Sequence, residues 1–168
     1  MRGFVLGVFL TLLALAVGGY WFVSSGKLSM ATTATPLPME KTVAKLALRA
    51  SIGSAKDQTN PLALDDSTMV AGAKLFKDHC AGCHGAPQQP QSAFTKAMFP
   101  PPPQLFVKDD MVTDDPQGET YWKVTHGIRL SGMAGFAAIL SDTERWQVTM
   151  LVAHADKLPP TALEAFAH

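Results

Sequence analysis

The chain is nearly without cysteine: two thiols, Cys80 and Cys83, in 168 residues. No second C-x-x-C and no H-x-H pair accompanies them, so the roughly four ligands of a zinc site are not there. No strand pattern is found, and without a βαβ unit a thioredoxin-like redox pair has no setting. A disulfide spanning two residues would be strained, and it would leave the adjacent His84 without a part to play. Charge of one sign is also missing. Lys and Arg total 14 against 14 Asp and Glu, a balance that argues against nucleic acid as a partner. Asp109, Asp110, Asp114 and Asp115 crowd one stretch, yet the glycine and glutamate spacing of a calcium loop is absent. They read as solvated turn residues and helix caps, with a docking patch for a basic partner as the lesser alternative.

What is present is Cys80-Ala81-Gly82-Cys83-His84, the C-x-x-C-H pattern of covalent haem attachment. Two thiols one short turn apart can each add to a vinyl group of one porphyrin. The histidine, held against the ring by the two thioether bonds, reaches the iron as proximal ligand. The expected cofactor is one covalent haem c, with Cys80 and Cys83 holding it and His84 ligating the metal. With both thiols so used no disulfide remains, and the cofactor itself has to staple the fold.

At the N-terminus, Phe4 to Val23 runs 20 residues without a charge. As a helix it spans about 30 Å, the thickness of a bilayer's hydrocarbon core. Tyr20 and Trp21 fall near its far end, where amphipathic rings favour the interface. The competing reading is a cleaved signal peptide with Arg2 as its positive flank and Ala14-Leu15-Ala16 as the cleavage site. The apolar run continues past Ala16, further than a signal needs, which favours an uncleaved anchor. Arg2 and Lys27 flank the span almost evenly, so charge barely orients it. Bacterial thioether haem is attached on the outer side of the inner membrane, which places the haem domain in the periplasm behind a single-pass anchor.

The expected organisation is a flank at 1–3, an anchor at 4–23, a tether at 24–65, a domain at 66–160 and a tail at 161–168. Within the tether, Met39, Val43, Leu46, Ala47 and Ala50 follow helical spacing, with Lys41, Lys45 and Arg49 on another side. Two readings stay open for this helix over about 39–50. Its apolar stripe packs on the domain, or it rests on anionic lipid head groups or an acidic partner. Ser51 to Leu64 has loop composition.

Further on, Asp65-Asp66-Ser67 offers N-caps for a helix to about Lys77. It carries Gly72 and Phe76 eight and four residues before Cys80. Ser92 to Met98 suits one helical turn, and Pro100 to Pro103 a stiff polyproline segment. Asp115-Pro116 fits an N-cap with proline at N1, opening a helix over 117–126 that stops at Gly127. Ser141-Asp142-Thr143-Glu144 is a capping box, and its helix is expected to continue to about Leu158 and end at Pro159-Pro160.

These motifs resemble the small single-haem cytochromes c of class I, with histidine and methionine as axial ligands. The likeness covers roughly 66–160. It rests on the Gly72-x3-Phe76 pair, on Cys83-His84-Gly85, and on His126-Gly127-Ile128-Arg129-Leu130-Ser131-Gly132-Met133-Ala134-Gly135-Phe136. The resemblance implies an all-α cytochrome c fold in which the first helix crosses the last at the glycine, with an aromatic or large apolar residue against it. It implies Met133 as distal ligand. It also implies a hydrogen bond from the His84 ring to a proline carbonyl, Pro103 in Pro103-Gln104-Leu105, for which Pro101 and Pro102 compete. Ala134 stands where many relatives have proline, which loosens the loop. Independently, a thioether is a soft ligand that favours ferrous iron and closes the sixth site. The bland reading of Met133 is core filler, and His126 and His154 are rival ligands. Arg129 and Trp122 are candidates to meet a haem propionate.

The expected function is a one-electron carrier, cycling Fe(II)/Fe(III), with redox proteins and the membrane as partners and no catalysis of its own. A haem subunit of a larger dehydrogenase or oxidase complex is the alternative. An open-site sensor or peroxidase is a third, for which no distal acid–base group is evident.

Overall fold

An apolar helix with no charge after its first residue opens the chain: α1 (Arg2–Ser24), about 35 Å long at 1.5 Å per residue. In this computed structural model, which describes residues 1–89 and 91–167, none of its residues is buried, and it is long and apolar enough to cross a membrane. It closes with the Ser25 N–H on the Trp21 carbonyl at 2.9 Å, and the Lys27 ammonium sits 4.6 Å from the Trp21 ring centre. The chain divides into two compact units, Met1–Thr35 and a second beginning at Pro36.

The second unit is built from α2 (Glu40–Ile52), α3 (Asp66–His79), α4 (Ala81–His84), α5 (Ala93–Lys96), α6 (Gln117–His126), α7 (Asp142–Ala153) and α8 (Pro160–Ala167). There is no strand among the described residues. The Asp65 carboxylate accepts the Thr68 N–H at 2.8 Å and starts α3. Ser141 and Glu144 form the reciprocal capping box that starts α7. Both helices thereby satisfy first-turn donors that would otherwise be orphaned.

The core lies where α3, α7 and α8 cross. Met69, Ala73 and Phe76 of α3 are buried against Val148, Leu151 and Val152 of α7 and Ala162 of α8. Gly72 makes the crossing close: a Cβ there would collide with the Gln147 carbonyl oxygen and lie 3.2 Å from the Leu151 Cβ. The partner is thus backbone plus leucine, whereas the large aromatic of α7, Trp146, turns away and stacks on Tyr121 of α6 at 3.9 Å. Phe76 closes the other end edge-on to Phe106 at 5.1 Å and to Phe166 at 6.1 Å.

Three segments differ from the expectations. Residues 51–57, expected as loop, are helical: α2 reaches Ile52, and a 3-10 turn follows at Gly53–Asp57. The reason is packing against α6. A Cβ on Gly118 would lie 2.7 Å from the Lys56 carbonyl and 2.9 Å from the Gln58 nitrogen, and Asn60 donates to Gln117 at 3.0 Å and to the Trp146 carbonyl at 3.2 Å. Second, α7 stops at Ala153 because His154 bonds the Leu151 carbonyl with its N–H and reaches the Met150 carbonyl with its ring Nδ1 at 2.9 Å, a tightened terminal turn. Third, the expected tail is α8. Proline ends one helix but also suits the first position of the next, and here Pro160 begins α8. Asp115 does not cap α6; its carboxylate faces Lys123 at 3.6 Å.

Candidate functional site

Helix α3 delivers Cys80 at its C-terminal end, where the N–H bonds Phe76 O at 2.8 Å and φ departs to −121°. The chain then makes a single turn, α4. Cys83 N and His84 N both donate to the Cys80 carbonyl, at 3.0 and 2.9 Å. This turn sets two half-buried free thiols and the imidazole within one winding. Burial and, after it, the neighbouring Cys83 push the Cys80 thiol up to about 12, so at neutral pH it is a protonated thiol rather than a thiolate. Gly85 ends the turn at φ +74°, a left-handed conformation that glycine accepts freely.

The segment 103–105 clasps this turn with three hydrogen bonds. His84 Nδ1 meets the Pro103 carbonyl at 2.9 Å, Gln104 Nε2 donates to the Cys83 carbonyl at 3.1 Å, and Leu105 N–H donates to the His84 carbonyl at 3.1 Å. Of the three competing prolines, the structure pairs Pro103 with the imidazole. An Nδ1 engaged by a carbonyl carries the proton, leaving the Nε2 lone pair for a metal. Burial holds His84 below the usual histidine range, partly offset by the Pro103 bond. The ring is therefore kept neutral, the form that ligates.

Gln104 and Asp110 are site residues that the sequence reading passed over. Gln104 is buried, its amide also donates to Pro102 O at 3.1 Å, and its backbone N–H is held by the Asp110 carboxylate at 3.0 Å. Asp110 thus leaves the class of plain solvated loop residues. The signal was a polar residue between proline and leucine, whose bonding reach across 21 positions no local pattern encodes. Gln104→Ala removes the donor to two carbonyls at once. It should cost about 1–3 kcal/mol in a urea titration and leave His84 less rigidly aimed. Gln104→Glu, which keeps the shape but removes the donor hydrogens, should behave like alanine.

The 127–136 loop is pinched at its neck. Gly127 takes φ +69°, and a Cβ there would lie 2.6 Å from Gly135 N and 2.7 Å from Met133 O. Across the neck Phe136 N donates to Val124 O at 2.9 Å and Ile128 N to Met133 O at 3.1 Å. The Ser131 hydroxyl donates to Ile128 O at 2.7 Å and accepts from Met133 N at 3.1 Å. Met133 is half-buried on this loop. Two contacts tie the loop to its surroundings: the Phe136 ring lies 6.2 Å, edge-on, from that of His79, the residue before Cys80, and the methyl of Met98 abuts Gly132. Among the described residues no hydrogen bond joins Met133 to the 80–85 turn. Of the rival ligands, His126 is exposed with its ring 4.9 Å from that of Trp122, and His154 is tied to Met150 O. Arg129 is exposed and Trp122 half-buried.

Among the described residues no group of three or more His, Cys, Asp or Glu could hold a metal ion by itself. The donor set suits a haem instead: a neutral imidazole with Nδ1 engaged, two free thiols in the preceding turn, and a thioether on a glycine-necked loop.

One comparison bears on the chemistry. The sequence model of a family described as "Cytochrome C oxidase, cbb3-type, subunit III" matches residues 67–150, half the chain. No curated protein and no solved structure matches it. The matched stretch begins in the first turn of α3 and ends within α7, so it takes in the thiol turn, the 103–105 clasp and the methionine loop.

Proposed function

The chain belongs to the cbb3-type cytochrome c oxidase subunit III family, and from that premise we propose that it is a single-haem, membrane-anchored electron carrier acting on the outer side of the membrane. A haem-based electron-transfer role comes with the family's cytochrome c domain. Haem c supplies reversible one-electron chemistry between Fe(II) and Fe(III). The chain's own residues supply the rest. Cys80 and Cys83 would hold the group through thioether bonds, each S–H adding across one vinyl group with no net oxidation. His84 would offer Nε2 from a ring whose Nδ1–H donates to the Pro103 carbonyl. Met133 would offer a soft thioether, a donor that favours the reduced state. Residues that stay in place in both oxidation states make the exchange fast, and nothing here requires a catalytic acid or base.

The single observation that carries this reading is the clasp of 103–105 on 83–84, which fixes the imidazole directly after the turn that carries two free thiols. Attachment through the thiols also argues for the outer face, where thioether haem is made, and α1 suits a single anchor in a bacterial inner membrane. The family's description favours a second reading, a haem subunit of a larger oxidase complex. Co-purification with other subunits at fixed stoichiometry distinguishes the two.

The test is an optical redox titration of the purified chain with acid–acetone extraction of its haem. A single one-electron wave and a haem that stays with the polypeptide are expected. Haem released into the solvent, or two waves, overturns the single covalent haem c. Extraction from the Cys80→Ser, Cys83→Ser chain serves as the positive control.

A further inference from the structure

Helix α2 has two sides, and only one has a partner in the second unit. Ile52 is buried at 4 % exposure and Leu48 half-buried, on the side that meets the body of the unit. By the 100° step of a helix, Val43, Leu46, Ala47 and Ala50 share the opposite side. They are exposed, Val43 at 57 % and Leu46 at 68 %, and the exposed Leu37 and Met39 precede them. The open reading in which this stripe packs on the domain is therefore not what is observed. By the same step Arg49 lies on the flank next to Leu46, whereas Lys45 and Lys41 fall toward the side of Leu48 and Ile52; all three are exposed, and among the described residues none of them pairs with an acid. The helix's one acid, Glu40, is turned back onto the Leu37 N–H at 2.8 Å. In a chain with zero formal net charge, this is a local excess of positive charge on a helix that also carries an uncovered apolar stripe.

The chain's own connectivity narrows the occupant. Fifteen residues, 25–39, separate the ends of α1 and α2; even fully extended they reach only about 50 Å. If α1 inserts in a membrane, α2 is held within about 50 Å of that membrane's surface. We propose that α2 docks along its apolar stripe on an anionic phospholipid surface, Val43 and Leu46 entering the head-group boundary while Arg49 on the flank meets lipid phosphates and Lys45 and Lys41 add longer-range attraction. The docked helix would limit the swing of the cytochrome domain, because Ile52 and the 3-10 turn after it are packed into that domain. The proposal rests on the reading of α1 as an anchor.

The test is amide hydrogen exchange of the full holo-chain in nanodiscs of phosphatidylcholine, alone or with phosphatidylglycerol admixed. Exchange over 40–52 should slow at least about tenfold in the anionic discs, the order expected for several surface cations. The change should be lost in Lys41→Gln, Lys45→Gln, Arg49→Gln and reduced in Leu46→Gln, while α3 and α7 stay unchanged. Equal exchange in both lipids overturns the proposal. So does protection that survives the triple variant, or that appears only with a second copy or an added acidic protein. Failure of the anchor shows separately, as chain that does not enter discs. In that event co-sedimentation with anionic vesicles decides: binding lost in the triple variant sustains the docking surface, and no binding removes it.

Discussion

Met133→Ala is expected to abolish the weak long-wavelength band of ferric haem with a methionine ligand. It should open the reduced protein to carbon monoxide and lower the midpoint potential by on the order of 0.1–0.2 V, a modest part of the ~0.8 V that axial ligands command. The substitution is clean because both hydrogen bonds of Met133 are made by its backbone: its carbonyl accepts from Ile128 and its N–H donates to Ser131 Oγ. The neck at Gly127 and Gly135 is likewise backbone against backbone. Truncation therefore removes the thioether and leaves the loop. If Met133 were a packing residue, melting would shift and the spectrum would not. Met98 is the informative control, since its methyl already touches Gly132. Met98→Ala should leave the band in place. A band that survives Met133→Ala but disappears in Met98→Ala would move the ligand assignment to Met98.

How much of this was legible in the sequence depended on the range of the interactions. Features written in local spacing were readable: the thiol turn, the capping box at Ser141 and Glu144, and α6 ending at Gly127. Each is set by residues within a few positions of one another. Features held by tertiary contact were not. The 3-10 turn at Gly53–Asp57 has loop composition and is helical because Gly118 lets α6 approach its carbonyls. Gln104 looked like the filler between proline and leucine, and its amide turned out to hold the Cys83 carbonyl. The end of α7 and the start of α8 were confused because proline marks both stops and starts. The apolar period of α2 was visible, whereas which of its sides meets the protein is decided by Leu48 and Ile52, outside the stripe. The identity of the redox partners leaves no such trace in spacing or in packing, because weak surface recognition needs no fixed motif.

The largest structural effect is expected at Gly72, whose substitution attacks the crossing that presents the thiols. The Cβ of any other residue would strike the Gln147 carbonyl oxygen and come within 2.9 Å of its carbonyl carbon. Neither is the end of a flexible side chain, so relief requires α3 and α7 to move apart. Separation would loosen Phe76, Val148 and Leu151, each less than 2 % exposed. Overpacking alone costs about 1–3 kcal/mol. Gly72→Ala should fall in that range, and Gly72→Val should reach about 3 kcal/mol or more, lowering Tm by roughly 10 °C in a unit of this size. Truncating the other neighbour cannot rescue it: Leu151→Ala removes a core side chain but leaves the carbonyl in place, so the double variant should be less stable than either single one. Thermal melts of the four proteins at matched haem content measure this. A Gly72→Val melt within a degree or two of wild type, or rescue by Leu151→Ala, would mean that the helices are held apart by side chains and not by backbone. Because α3 runs straight into Cys80, the same displacement should tilt the thiol turn away from the Pro103 clasp. Lower haem incorporation in Gly72→Val than in an equally destabilised variant at the far end of α3, such as Met69→Ala, would separate that positional effect from loss of stability alone.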